Sequence, residues 1–215
     1  MEKRYESDMT RKEKRQNELK KLKSMTFKQK AAYIWEYYKG VFAGIIIACV
    51  IISIGVQMFQ NSQLKSLLSI AVVDSNYNHD EQVEALQNDF LAYAGTGDKH
   101  EVVDVDTSLL SGDDYNAVVK MTVVMGAGTA DMMFCGEETY KKYKQQEAFL
   151  SWKEVLGDDY SKYEEYMTDD GRLDLEKCPN WEKYNMVYYS SVYAVVMSSS
   201  KNLENCIKFL EMMVQ

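Results

Sequence analysis

Histidine occurs twice in this 215-residue chain, at His79 and His100, and proline once, at Pro179. Neither histidine has a cysteine or the other histidine at ligand spacing, which argues against a zinc site and against a histidine-based catalytic triad. Gly126-Ala127-Gly128 lacks the third glycine of a dinucleotide loop, because position 131 is Asp, and it precedes a strand-like run where such a loop would open a helix. It reads as a helix stop. The acidic pairs Asp113-Asp114, Asp158-Asp159 and Asp169-Asp170 lack the alternating spacing of a calcium loop, and Asp104 and Asp106 are followed by Ser108 and Leu110. Turns and helix starts explain them better. Cysteine is scarce too. Cys49 lies in an apolar run, leaving Cys135, Cys178 and Cys206, an odd number that cannot all pair within one chain. Cys135 and Cys206 fall on apolar faces, where a free thiol acts as a small hydrophobe, although an extracellular setting would permit one disulfide. The expectation is therefore no catalytic residue, no cofactor, no metal, and a chain that is not an enzyme.

Charge is missing altogether from residues 41–59, VFAGIIIACVIISIGVQMF, which also lack proline. A helix of that length covers about 28 Å, close to the hydrocarbon thickness of a bilayer, and predicts one transmembrane helix. A cleaved signal fits poorly, since about forty residues precede the core and no small-x-small site follows. Ile46-Ile47-Ala48-Cys49 has the look of a lipobox, yet Val50-Ile51-Ile52 continues the apolar run where a lipoprotein would begin a polar tether. Residues 20–39 contain six lysines and residues 60–79 only Lys65. That asymmetry places the amino terminus in the cytoplasm and the rest outside the cell membrane. Residues 1–39 hold twelve basic and six acidic side chains, a balance of +6, and the remainder carries −14. An acidic outer part excludes nucleic acid as a partner, whereas the basic inner part suits an anionic lipid bilayer.

Residues 1–25 read as a basic cytoplasmic tail with too little apolar surface for a core. Across 26–40, Phe27, Ala31, Ile34 and Tyr38 recur with helical spacing, predicting an interfacial amphipathic helix that turns into the span. Trp35, Tyr37, Tyr38 and Lys39 then form the membrane-interface set. The segment TFKQKAAYIWEYYKG with the span resembles the start of many single-pass membrane proteins of anaerobic Gram-positive bacteria, a likeness in anchoring only.

Residues 60–66 read as a polar stalk and 67–215 as one extracellular α/β domain, without linker or repeat. The 67–73 run is a buried strand ending in the turn Asp74-Ser75-Asn76. Asp80 caps a helix with Val83, Leu86 and Phe90 on one face. Residues 101–106 predict a second strand. Ser111 and Asp114 suggest a capping box before a helical stripe of Tyr115, Val118, Val119, Thr122 and Met125, although the β-branched content of 118–124 also suits a strand. Residues 131–135 predict a third strand, 137–146 a helix, and 193–197 a strand leading into a helix faced by Leu203, Ile207, Leu210 and Val214. Such alternation predicts a mainly parallel sheet with flanking helices.

Three stretches together resemble one lobe of a type 2 periplasmic, or extracellular, solute-binding protein. They are Gly128-Thr129-Ala130-Asp131-Met132-Met133-Phe134 with Glu138-Thr139-Tyr140, Ala148-Phe149-Leu150-Ser151-Trp152, and 192–197 running into Asn205-Cys206-Ile207-Lys208-Phe209-Leu210. The resemblance implies a solute-binding-like fold. In that family a second lobe is inserted, but only 34 residues separate Trp152 from Val187 here, fewer than the roughly 50 an independent lobe needs. No ligand-binding residue carries over.

That stretch is rich in tyrosine instead. Tyr160, Tyr163, Tyr166, Tyr184, Tyr188 and Tyr189 make a candidate aromatic binding surface for a sugar, another small molecule or a protein, while half-buried tyrosines also simply pack small domains. The sequence thus points to a membrane-anchored, non-enzymatic extracellular binding or interaction module. The alternative is a structural or regulatory subunit that assembles with another membrane or envelope protein.

Overall fold

The computed structural model describes residues 10–76 and 78–215, apart from the side chains of Glu18, Ile34 and Tyr37. The chain divides into two units, one ending at Ser62 and one running from Gln63 to Gln215.

Within the first unit, helix α1 (Arg11–Ser24) starts at Thr10, whose side chain and that of Glu13 cap each other's backbone N–H. Part of the predicted tail is therefore helical, while residues 1–9 lie outside the described residues. Helix α2 (Phe27–Ser62) is a single run of 36 residues. The expected turn between an interfacial helix and a span is absent. Gly40 costs about 1 kcal/mol in a helix interior, too little to break a helix that propagates on both sides. Tyr38–Ser62 is long and apolar enough to cross a membrane, with mean hydropathy 2.5, and none of it is buried within the protein. Because α2 reaches Ser62 and strand β1 begins at Lys65, the predicted stalk shrinks to Gln63 and Leu64.

In the second unit β1 (Lys65–Val73), α3 (Asp80–Ala94), β2 (Glu101–Leu109), α4 (Tyr115–Ala127), β3 (Met132–Cys135) and α5 (Glu137–Lys144) alternate as expected. Then come β4 (Phe149–Leu150), α6 (Trp152–Leu156), β5 (Leu173–Asp174), α7 (Trp181–Tyr184), β6 (Tyr193–Met197) and α8 (Leu203–Val214). One mostly parallel sheet of order β2-β1-β3-β6-β4 results, with β5 also on β6. β1 pairs in parallel with β2 and β3, Ile70 lying opposite Val105 and Met132. β6 runs antiparallel, with Cys135 opposite Tyr193. The cause lies in residues 151–192. Their longest α-helix, α6, has five residues and spans about 7.5 Å, and the 3-10 turns that follow it, the longest Gly157–Lys162, do not extend it into a crossover helix, so β6 enters from the end where β3 leaves.

Strand alternation sorts the core. Leu68, Ile70 and Val72, Met132 and Phe134, and Ala194 and Val196 pack with Leu86 and Phe90 of α3, Phe209 and Met213 of α8, Trp152 and Trp181. Ala71 and Val73, Met133 and Cys135, and Val195 and Met197 meet Met121 and Val124 of α4 and Tyr140 and Tyr143 of α5. Both faces are covered, as the alternating pattern requires. Asp131 ties the amino end of β3 to its neighbours. Its buried carboxylate accepts from Ser69 N at 2.9 Å, Ser200 Oγ at 2.8 Å and Asn202 Nδ2 at 3.0 Å.

Several local expectations need correction. Asp80 is the first residue of α3 and His79 its cap. Asp114 caps α4, accepting from Asn116 N, so the Ser111 capping box does not form and 115–127 is a helix. The buried face of α4 is Ala117, Met121 and Val124, while Tyr115, Val118, Val119 and Val123 of the predicted stripe and its flank are exposed. Valines ring this helix, so periodicity alone could not choose the inward side; the small Ala117 allows close approach to the sheet. Helix α8 is rotated similarly, burying Cys206, Phe209, Leu210 and Met213 while Leu203 is exposed.

Candidate functional site

At the carboxyl ends of β1 and β3 lies a cavity of about 250 Å³, lined by Asp74, Ser111, Gly136, Glu137, Glu138, Thr139, Tyr188, Tyr189 and Ser190. Ligands in open α/β sheets bind outside the carboxyl ends of strands, because loops there are free to vary over a rigid frame. Asp74 leaves β1 in the left-handed region, φ 53°, which Asp tolerates better than most residues. Its N–H donates to Leu109 O at 2.9 Å and its Oδ1 accepts from Ser111 N at 3.0 Å, fixing the loop after β2 against β1.

Gly136 closes β3 and starts α5 without a side-chain cap. The Tyr189 ring lies against it, and a Cβ at position 136 would sit 3.3 Å from Tyr189 Cε2. The Tyr189 hydroxyl donates to Val73 O at 2.9 Å. Burial, then the neighbouring Cys135, Asp74 and Tyr188, pushes that hydroxyl far above the ordinary tyrosine range, so it stays a neutral donor. Tyr188 is 72% exposed, and its ring stands perpendicular to that of Tyr189, with centroids 5.9 Å apart. Thr139 is 5% exposed, and its hydroxyl has no hydrogen-bond partner among the described residues.

Glu137 is the supported acid of the three. It pairs with Lys141 at 2.9 Å and with the Arg172 guanidinium, and the hydrogen bonds from Arg172 and then Lys141 hold its carboxyl below the usual range. Arg172 is buried, bonds Asp170 at 2.8 Å, and is sandwiched between Tyr140 and Tyr193, with ring centroids 4.3 and 4.0 Å from Cζ. Among the described residues Asp74 and Glu138 have no cationic partner. Among the described residues no hydroxyl lining the cavity is hydrogen-bonded to a carboxylate or an imidazole.

The candidate tyrosine surface is divided. Tyr188 and Tyr189 line the cavity. Tyr184 is buried, its hydroxyl donating to Asp89 Oδ2 at 2.6 Å, and Tyr160, Tyr163 and Tyr166 pack partly buried against the core. Of the interface set, Trp35, Tyr38 and Lys39 are exposed on α2, and the Tyr37 side chain lies outside the described residues. Asp74, Ser111, Glu138 and Thr139 escaped sequence reasoning because each sits in a turn or first helical turn. The usable signal was an acid immediately after a strand-like run, at Asp74.

Cys135, Cys178 and Cys206 are free and buried, and burial pushes each thiol up to about 12. Among the described residues no three His, Cys, Asp or Glu side chains converge to hold a metal ion. No protein-family model, curated protein or solved structure matches the chain.

Proposed function

We propose that this protein is a single-pass, membrane-anchored binding module without catalytic activity, whose α/β domain lies on the outer face of the cell membrane. The observation that carries the reading is helix α2: within Tyr38–Ser62 the run 41–59 carries no charge on any side, and none of the described residues covers it. A helix hydrophobic all round needs an apolar surrounding, and a bilayer supplies one along its whole length. The six lysines of 20–39, against Lys65 alone in 60–79, support that orientation. The cavity at the ends of β1 and β3 supports the binding role, since it offers polar groups, two tyrosine rings and no paired nucleophile and base. The resemblance to a solute-binding lobe points the same way.

The full chain, expressed in a Gram-positive host, is expected in the membrane fraction after alkaline carbonate washing. Protease added to intact protoplasts is expected to remove the 63–215 domain and leave the lysine-rich end protected. Recovery of the chain in the carbonate supernatant, or protection of the domain until the membrane is lysed, overturns the proposal.

A further inference from the structure

The cavity already described has a preference of its own. Asp74 and Glu138 bring two carboxylates to it without a cationic partner among the described residues, and no Lys or Arg lines it. The opposing contribution is the amino end of α5, worth about half a positive charge. Two full negative charges outweigh it, so the field in the cavity disfavours anions. Inorganic cations are poorly served as well, since no three ligating side chains converge there. Tyr188 and Tyr189 both line the cavity as an edge-to-face pair, and the exposed Tyr188 ring can offer its face to an ammonium group on an apolar stem. The Thr139 side chain is buried where it lines the cavity, and its hydroxyl, without a partner among the described residues, can accept an N–H.

From the acids, the perpendicular rings and the unpartnered threonine we infer that the cavity binds an alkylammonium group, carried by a free amine or by a lysine side chain. The inference rests on the binding role proposed above and narrows it to one ligand chemistry.

The test uses the full chain in phosphatidylglycerol nanodiscs, whose headgroups carry no ammonium, and titrates it calorimetrically. The probes are butylammonium chloride and Nα-acetyl-lysine methylamide, with 1-butanol and sodium butyrate as neutral and anionic counterparts at matched ionic strength. Saturable binding of at least one ammonium probe is expected, with no comparable binding of butanol or butyrate. Glu138→Gln and Tyr188→Leu, both at exposed positions where folding is not at stake, are each expected to weaken it about 5-fold, and Asp74→Asn to a similar degree. Binding of butylammonium alone identifies a free amine, and binding of the lysine amide alone identifies a peptide side chain. Either supports the inference. Butyrate binding as tightly as the ammonium probes, binding indifferent to both Glu138→Gln and Tyr188→Leu, or no ammonium binding overturns it. These outcomes are separate from the anchor, which stands or falls on carbonate extraction.

Discussion

Ile45, Ile46 and Ile47 in α2 and Leu68, Ile70 and Val72 in β1 are nearly the same kind of side chain, yet the first three are exposed and the second three buried. In α2 consecutive isoleucines point in different directions, so no single packing partner within one chain could cover them all. In β1 alternate residues share a face, and two layers of helices suffice. The difference teaches what each region treats as solvent. The domain carries its own interior, whereas the apolar side chains of α2 are left uncovered by the described residues.

The largest effect expected within the domain tests whether that interior holds it together. Trp152 is fully buried and its Nε1 donates to Ala194 O at 2.8 Å. Trp152→Ala should cost about 3–5 kcal/mol in urea unfolding of the detergent-solubilised chain, and a loss under about 1 kcal/mol would break the comparison. Val50→Arg addresses the other side. It should penalise membrane insertion by about 2.5–3.5 kcal/mol, seen as a smaller carbonate-resistant fraction. The thermal midpoint of the domain should not move. If the midpoint falls with it, the two regions are not energetically separate.

Asp131→Ala leaves Ser69 N–H, Ser200 and Asn202 without their acceptor. A cost of about 1–3 kcal/mol is expected in the same unfolding assay; a neutral result would mean that β3 needs no polar clasp at its amino end. The smallest effect is electrostatic. Hydrogen bonds first from Lys183 and then from Tyr184 hold the Asp89 carboxyl below its usual range. Its stabilisation is therefore complete above the ordinary aspartate pKa of about 3.9 and is lost as pH falls through the lower folded value. Half exposed, the site should contribute under about 1 kcal/mol. Asp89→Asn should flatten the fall in stability below about pH 4, and an unchanged acid limb would show that Asp89 has no part in it.

Much of the domain was legible residue by residue. The runs around Ile70, Phe134 and Val195 announce strands, and Gly128, at φ 60°, ends α4 as a helix stop should. The inward faces of α4 and α8 were not legible, because apolar residues occupy adjacent sides of both and only the shape of the sheet surface selects between them. The reversal of β6 was hidden for a related reason. A strand's sequence records its burial but not its direction, which depends on where the preceding chain delivers it. Of the nine residues that line the cavity, Tyr188 and Tyr189 were singled out from the sequence, since aromatic residues stand out there. Asp74 and Thr139 looked like ordinary turn and helix-start residues until the fold brought them together.

By itself the sequence determined that this chain contains a charge-free helix of membrane length, a basic side and an acidic side, and an alternating α/β domain. These follow from composition and period, which are local properties of the chain. Tertiary structure alone decided which helix faces turn inward, which tyrosines reach the surface, and that three acids, a threonine and two perpendicular rings line one cavity. The reason is distance along the chain: Asp74 and Tyr189 are more than a hundred residues apart, and only strand pairing through the sheet makes them neighbours.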